Sequence, residues 1–151
     1  TISHGDGQTL WTLTHAADFA VPFVRLLGNP QALGEAFHIT GDQVYPWDRI
    51  FRAMGSALGV EPRIVHVPTD TLVRYKKEWA GPLLGDKSWP AMFDLSKLKR
   101  VVGPFECRVE LEEGLRLAAA YVRRRLERTS QDMAIHALVD RIAEEQLRLG
   151  A

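Results

Sequence analysis

The side chains with chemical potential are few and scattered. The five histidines, His4, His15, His38, His66 and His136, form no His-x-x-x-His or His-Glu-x-x-His pair, so no histidine-based metal site is expected. Cys107 stands alone, which rules out an intrachain disulfide and a cysteine-based zinc site. None of Ser3, Ser56, Ser88, Ser96 and Ser130 sits in a Gly-x-Ser-x-Gly elbow, so no serine nucleophile is marked. Gly5-Asp6-Gly7 is followed by a strand pattern rather than a helix, and reads as a hairpin or loop turn, not a phosphate-cradling loop. His15 and His66 border or interrupt apolar runs, where a histidine usually serves as a structural hydrogen-bonder. Glu110, Glu112 and Glu113 open a helical pattern, as acidic residues do at the positive end of a helix dipole. Arg123-Arg124-Arg125 fans around a helix axis, which fits a solvated face; an anion or RNA contact is the competing reading. By type and spacing alone, the chain names no catalyst.

The elements that position these groups follow from periodicity and punctuation. Leu10-Trp11-Thr12-Leu13-Thr14 is predicted as a strand. Asp18 is predicted as the N-cap of a helix whose apolar face is Phe19, Phe23, Leu26 and Leu27, with Pro22 near its first turn and Gly28-Asn29-Pro30 as its stop. Glu35–Thr40 is predicted as a short edge strand. Pro46-Trp47-Asp48 opens a second helix through Ile50, Phe51, Met54 and Leu58 to Gly59. Ile64–Val67 is a compact apolar strand, and Thr69 or Asp70 caps a third helix carrying Leu72, Val73 and Trp79. Ala80–Pro90, punctuated by Gly81, Pro82 and Gly85, is predicted to be an irregular loop. Two helical patterns close the chain. One carries Leu111, Leu115, Ala118, Val122 and Leu126; the other, capped by Thr129 or Ser130, carries Ile135, Leu138, Ile142 and Leu149.

Composition bounds the function. The 151 residues suffice for one domain, and 46% hydrophobic with 25% charged residues is ordinary for a chain that buries a core. Nineteen basic residues balance nineteen acidic ones, which counts against nucleic-acid binding through a basic surface. No apolar run is long enough to span a bilayer and no basic-then-apolar leader opens the chain, so no membrane association is expected. A reducing, cytoplasmic setting fits the single thiol. Thr1, running directly into Ile2-Ser3-His4, reads as the middle of a longer polypeptide.

The order of segments carries a resemblance. Gly5-Asp6-Gly7 followed by Thr12 through Ala20 resembles the turn, strand and Val-x-Asp-Val-Ala helix start of the extended short-chain dehydrogenases, the NAD-dependent epimerase/dehydratase family. Gly34–Thr40 is similar to that family's Gly-Glu-x-Phe-Asn-Ile strand, and Trp47–Ile50 to the helix that follows. Pro62–Pro68 is similar to its Pro-x-Ile-Val-x-Val-Pro strand, Phe93–Leu98 with Val102-Gly103 to its Asp-x-Ser-Lys element, and Leu111–Leu115 to its closing Leu-Glu-Glu-Gly-Ile helix. The resemblance runs to about Val122 and covers only the family's C-terminal, substrate-binding half.

This resemblance implies a mixed α+β fold, helix-rich and with short strands: the C-terminal subdomain of an extended Rossmann-type enzyme, without the nucleotide-binding half. Residues 1–127 are the expected substrate-binding portion and 128–151 a helical extension. The family's Tyr-x-x-x-Lys pair has no counterpart, because Tyr45, Tyr75 and Tyr121 are followed at the fourth position by Arg49, Trp79 and Arg125. The implied function is therefore the substrate-binding half of an NAD(P)-dependent epimerase, dehydratase or reductase, inactive alone and binding no NAD or NADP itself. No catalytic, cofactor-binding or metal-binding residue is expected. The implied substrate contacts are Trp11, Thr12, His15, Lys87 and Trp89, with Asp18 and Asp94 as structural caps. Trp11 stands where the family commonly has a diphosphate-holding arginine, and Ala80–Phe93 contains no arginine, only Lys87. The implied partners are a small-molecule substrate, the N-terminal Rossmann half and a second copy of this chain, through Glu35–Thr40 or by exchange of the C-terminal helix. The alternative reading is a non-catalytic binding module, RNA-linked as in relatives that bind chloroplast stem-loops.

Overall fold

The computed structural model describes residues 1–126 and 133–149. Its short strands are β1 (Ile2–His4), β2 (Leu10–Trp11), β3 (Tyr45–Pro46) and β4 (Val65–Val67). The helices are α1 (Ala16–Leu26), α2 (Trp47–Leu58), α3 (Thr69–Tyr75), α4 (Ala80–Pro82), α5 (Ser96–Val102), α6 (Leu111–Leu126) and α7 (Met133–Leu149). This is the expected helix-rich mixed fold. The boundary expected at 127/128 and the caps expected at Thr129 or Ser130 lie outside the described residues.

β1 and β4 pair in parallel, with Ser3 opposite His66, while β2 and β3 pair antiparallel, with Trp11 opposite Tyr45. The β1–β4 ladder is extended by Gly5 N–H donating to the Val67 carbonyl at 2.8 Å. Val65, Val67, Leu72 and Ile142 form one buried cluster, with Ile2, Tyr75, Trp79 and Leu83 packed against it. A second cluster joins Leu95, Leu98 and Phe105 to Leu26, Phe37, Ile39 and Val102. Burying fully a side chain such as Val67, Leu72, Leu98 or Ile142 contributes about 1.5–3 kcal/mol before entropy is counted.

The helix over Trp47–Leu58 forms as its sequence dictates. Ile50 and Ala53 fall on one buried face, and Gly59 at φ +75° ends the helix. Gly59 N–H donates to the Ser56 carbonyl and Val60 N–H to the Gly55 carbonyl, a Schellman closure. The chain then folds back so tightly that a Cβ on Gly55 would lie 2.5 Å from Pro62 Cδ. α2 packs against α6, and the Arg49–Glu112 ion pair ties the two together.

Several expectations are corrected. The Leu10–Thr14 strand shortens to Leu10–Trp11, because β3 offers only two residues to pair with. β1 was not read from the sequence, and Gly5-Asp6-Gly7 leaves it as a loop turn, since β1 pairs with β4 and not with β2. Asp18 is not the cap of α1. His15 is, its Nδ1 accepting from Ala17 N–H at 3.2 Å. Asp18 is buried, its carboxylate accepting from the backbone N–H groups of Arg108 and Val109, both at 3.0 Å. Because the helix starts at Ala16, Pro22 falls at its seventh position, inside the helix and buried. The Phe19–Phe23–Leu27 face is turned outward: these residues are 40%, 43% and 64% exposed.

Glu35–Thr40 forms no strand, since no neighbouring strand lies alongside it. α3 begins after Pro68 without a side-chain cap from Thr69 or Asp70, and Trp79 falls in a separate 3₁₀ turn, Lys77–Trp79. Ala80–Pro90 is largely helical: α4 runs into a π turn at Leu83–Lys87, closed by Ser88 N–H on the Leu83 carbonyl at 2.9 Å. Asp94 is not the N-cap of α5, a place Leu95 takes without a side-chain bond; it closes the turn before the helix, its Oδ1 accepting from Ser96 N–H at 2.8 Å and from the Ser96 hydroxyl at 2.6 Å. Among the described residues, no helix is long and apolar enough to cross a membrane, and no group of three or more His, Cys, Asp or Glu could hold a metal ion.

Candidate substrate cleft

Pairing with β3 holds Trp11 beside the start of α2. The indole rings of Trp11 and Trp47 lie 5.4 Å apart with a 38° tilt; Trp47 also meets Phe51, one helical turn on, at 5.9 Å. His4, at the end of β1, stands edge-on to Trp47 at 5.6 Å. The Lys87 ammonium lies 5.5 Å from the centre of the Trp11 ring, a cation–π distance, and 3.0 Å from the Asp86 carboxylate.

The buried His4 fixes this corner. Its Nε2 lies 2.8 Å from the Lys87 carbonyl oxygen; a carbonyl only accepts, so Nε2 carries the proton. That bond draws the π turn over the end of β1. Behind it lies an apolar cavity of about 390 Å³ lined by Ile2, His4, Trp47, Phe51, Trp79 and Leu83, among others.

Trp11 and Lys87, expected as substrate contacts from distant parts of the chain, thus come together. The others have partners or surroundings of their own. Thr12 donates its hydroxyl to the Ala91 carbonyl at 2.6 Å, pinning the segment after the π turn against β2. Trp89 is 66% exposed and donates its indole N–H to the Leu84 carbonyl at 2.8 Å. His15 lines a separate cleft of about 260 Å³ with Leu13, Tyr45, Val109, Glu110 and Gly114. There, burial first and the charges of Glu110 and Glu112 next push the Tyr45 hydroxyl above its ordinary pKa. Sequence reasoning missed His4, Trp47 and Phe51. The Trp47/Phe51 spacing of one helical turn was the available signal; His4 had none, because its partner is a backbone carbonyl far along the chain.

The remaining polar pair is structural. Asp48 is buried beneath the Gly5-Asp6-Gly7 turn, and His66 Nε2 lies 2.9 Å from its carboxylate. A Cβ on Gly7 would fall 2.0 Å from Asp48 Oδ1. The space beside Gly7 is therefore filled by a carboxylate, which would repel a dinucleotide pyrophosphate. The turn does not fit a nicotinamide cofactor. What the cleft offers is stackable aromatic surface and one ammonium.

No protein-family model matches the chain. Among solved structures, it is similar to the UDP-glucuronic acid 4-epimerase of Bacillus cereus in complex with NAD: TM-score 0.60 and 18% identity, over 85% of this chain and 35% of that one. It is likewise similar to the dTDP-glucose 4,6-dehydratase of Bacillus anthracis in complex with NAD: TM-score 0.60 and 18% identity, over 84% of this chain and 35% of that one. The fold is that of the C-terminal part of an extended short-chain dehydrogenase. Among curated proteins, the Arabidopsis thaliana chloroplast stem-loop binding protein of 41 kDa b is 38% identical over 61 residues, 40% of this chain and 16% of that protein. The chain spans about a third of the length of the solved enzymes and less of the curated relative.

Proposed function

We propose that this chain is the substrate-binding portion of an NAD(P)-dependent epimerase, dehydratase or reductase and is not catalytic on its own. The observation that carries the reading is the extent of the fold match: most of this chain superposes on about one third of enzymes crystallised with NAD. In the intact enzyme, a nucleotide-binding portion holds the NAD or NADP and supplies the tyrosine that moves the proton. This chain supplies the wall of the cleft, in a reducing, cytoplasmic setting. Trp11, Thr12, His15, Lys87 and Trp89 are the residues assigned to substrate contact.

The substrate class follows from the cleft. A diphosphate calls for planar, bidentate cations at fixed positions. Here an indole faces an indole, and the one nearby ammonium already has the Asp86 carboxylate as partner. Desolvating a dianion beside this surface is costly. The intact enzyme therefore takes a substrate with apolar or aromatic bulk and little negative charge, in preference to a UDP- or dTDP-sugar.

Reading the coding sequence immediately upstream of Thr1 tests the assignment. The expected result is an open reading frame with a glycine-rich dinucleotide turn and a Tyr-x-x-x-Lys pair; a frame that lacks both overturns it.

A further inference from the structure

α7 reaches the apolar cavity from beyond Val122, where the sequence resemblance ends. Leu138, Val139, Ile142 and Ala143 share one side of this helix at the i, i+1, i+4, i+5 spacing. Ile142, 1% exposed, is wedged among Val65, Val67 and Leu72, with Leu138 and Ala143 packed beside it. Val139, on the same side, is half-buried and forms part of the wall of the cavity of about 390 Å³. Two contacts with α3 fix the register. The Tyr75 hydroxyl donates to the Glu145 carboxylate, and the Arg141 guanidinium lies 5.8 Å from the centre of the Tyr75 ring. Sliding α7 by one turn, about 5.4 Å, would break both and unseat Ile142. Val139 is therefore held at the cavity.

The cavity is continuous with the cleft, since His4, Trp47 and Lys87 belong to both. Trp47, Phe51, Trp79 and Leu83 are among its other walls, so a body entering it meets aromatic and alkyl groups. The ionisable groups of the wall, His4 and Lys87, already have the Lys87 carbonyl and the Asp86 carboxylate as partners. No free charge is offered there, so a charged occupant would lose its hydration without compensation, and a neutral one fits. Size follows from volume. An apolar cavity of about 150 Å³ accepts a benzene ring. This one, at about 390 Å³, has room for a fused two-ring aromatic body.

We propose that this cavity takes the apolar group of the substrate, neutral and about two fused rings in size, and that Val139 of α7 sets that size. That the group belongs to a substrate rests on the function proposed above; the binding itself is a property of this chain. The C-terminal helix is thereby a specificity element. A larger side chain at Val139 takes the room that the second ring needs, and a smaller one opens room for a third.

Titration of the 151-residue chain with 2-naphthol and with phenol, followed through the tryptophan indole N–H signals by nuclear magnetic resonance, tests the proposal. 2-Naphthol should move the Trp47 and Trp79 signals and leave that of the exposed Trp89 in place. Val139→Phe, melting like the parent, should weaken 2-naphthol about tenfold or more and phenol by no more than about twofold, the scale on which apolar pockets discriminate by size. If the phenylalanine variant does not fold, Val139→Ala decides: it should bind the three-ring 9-phenanthrol about tenfold more tightly than the parent does. Still Trp47 and Trp79 signals in the parent overturn the proposal. So does a folded Val139→Phe with the parent's preference, or a Val139→Ala with no gain. Each of these results leaves the assigned enzyme function standing. An upstream frame without a nucleotide-binding portion overturns that function, and with it the assignment of the bound group to a substrate, whatever the titration shows.

Discussion

His66 and Asp48 meet in a two-point contact: the imidazole Nε2 lies 2.9 Å from each carboxylate oxygen. The pair bridges β4 and α2, and the Gly5-Asp6-Gly7 turn closes over it through the 3.0 Å bond from Asp48 N–H to the Gly7 carbonyl. The buried Asp48 carboxylate thus has the His66 ring and, at 3.7 Å, the Arg52 guanidinium as partners, while the turn holds its backbone and buries Gly7 against it.

Gly7→Ala is expected to be far more damaging than Gly34→Ala. Both glycines have left-handed backbones, at φ +71° and +73°, where a side chain costs about 1–2 kcal/mol. Around Gly34 nothing lies within 4 Å, whereas at Gly7 the new methyl would also strike Asp48. Urea unfolding of the two variants checks the order; equal losses would refute the packing described for the turn.

Asp18→Ala is expected to cost about 3 kcal/mol, since charge-assisted hydrogen bonds are worth about 1.5–3 kcal/mol each and two backbone donors lose their acceptor. Asp18→Asn, keeping one acceptor oxygen, should lose less. Faster exchange of the Arg108 and Val109 amides in the alanine variant is the local signature to look for.

Stability should fall on the acid side. The Lys97 ammonium, by hydrogen bonding first and by charge second, holds the Glu35 carboxyl below the usual range; Arg49 does the same for Glu112, and the Ser96 hydroxyl and N–H for Asp94. A carboxyl whose pKa is lowered in the folded state contributes stability that is complete above its unfolded pKa, roughly 4, and is lost as pH falls through the lowered folded value. Unfolding free energy is therefore expected to decline below about pH 4. Lys97→Met should flatten that decline; an unchanged slope would count against the Glu35–Lys97 contribution.

Cys107 is expected to alkylate slowly. Burial first, then the charges of Asp18 and Asp42, push its thiol above the ordinary range, and the thiolate is the reactive form. Iodoacetamide labelling followed by mass should show the reaction accelerating only at a higher pH than for a free cysteine peptide.

Trp11→Arg is the informative variant for substrate class. In the full enzyme, thermal shifts with UDP-sugars should be small for the parent and grow in the variant, while neutral carbonyl or hydroxyl compounds should behave the opposite way. The chain alone should show no calorimetric binding of NAD(H). Strong stabilisation of the parent by UDP-sugars, unaltered in Trp11→Arg, would defeat the substrate argument.

α2 was legible because Pro46, the apolar spacing and Gly59 all agree, and local signals that agree are what sequence patterns carry. Trp11 and Lys87 were each singled out from the sequence, but nothing local says that they meet. α1 was legible as a helix but not in its orientation: periodicity assumes the apolar side faces in, whereas two backbone N–H groups from the Arg108–Val109 segment claim Asp18 for the interior. The π turn was hidden because Gly81, Pro82 and Gly85 signal a loop, and the carbonyl bond from His4 that anchors it joins residues far apart in the chain.

The closeness of Gly55 to Pro62 makes the two positions one unit of evolutionary change. A side chain at 55 has nowhere to go while the proline ring occupies that space, and a different residue at 62 would loosen the return from α2 toward β4. In a lineage of such sequences, substitution at 55 should arrive only after 62 has given up its ring and the Val60 carbonyl, 2.8 Å from the same Cβ, has moved as well, so the order of replacement is set by the structure.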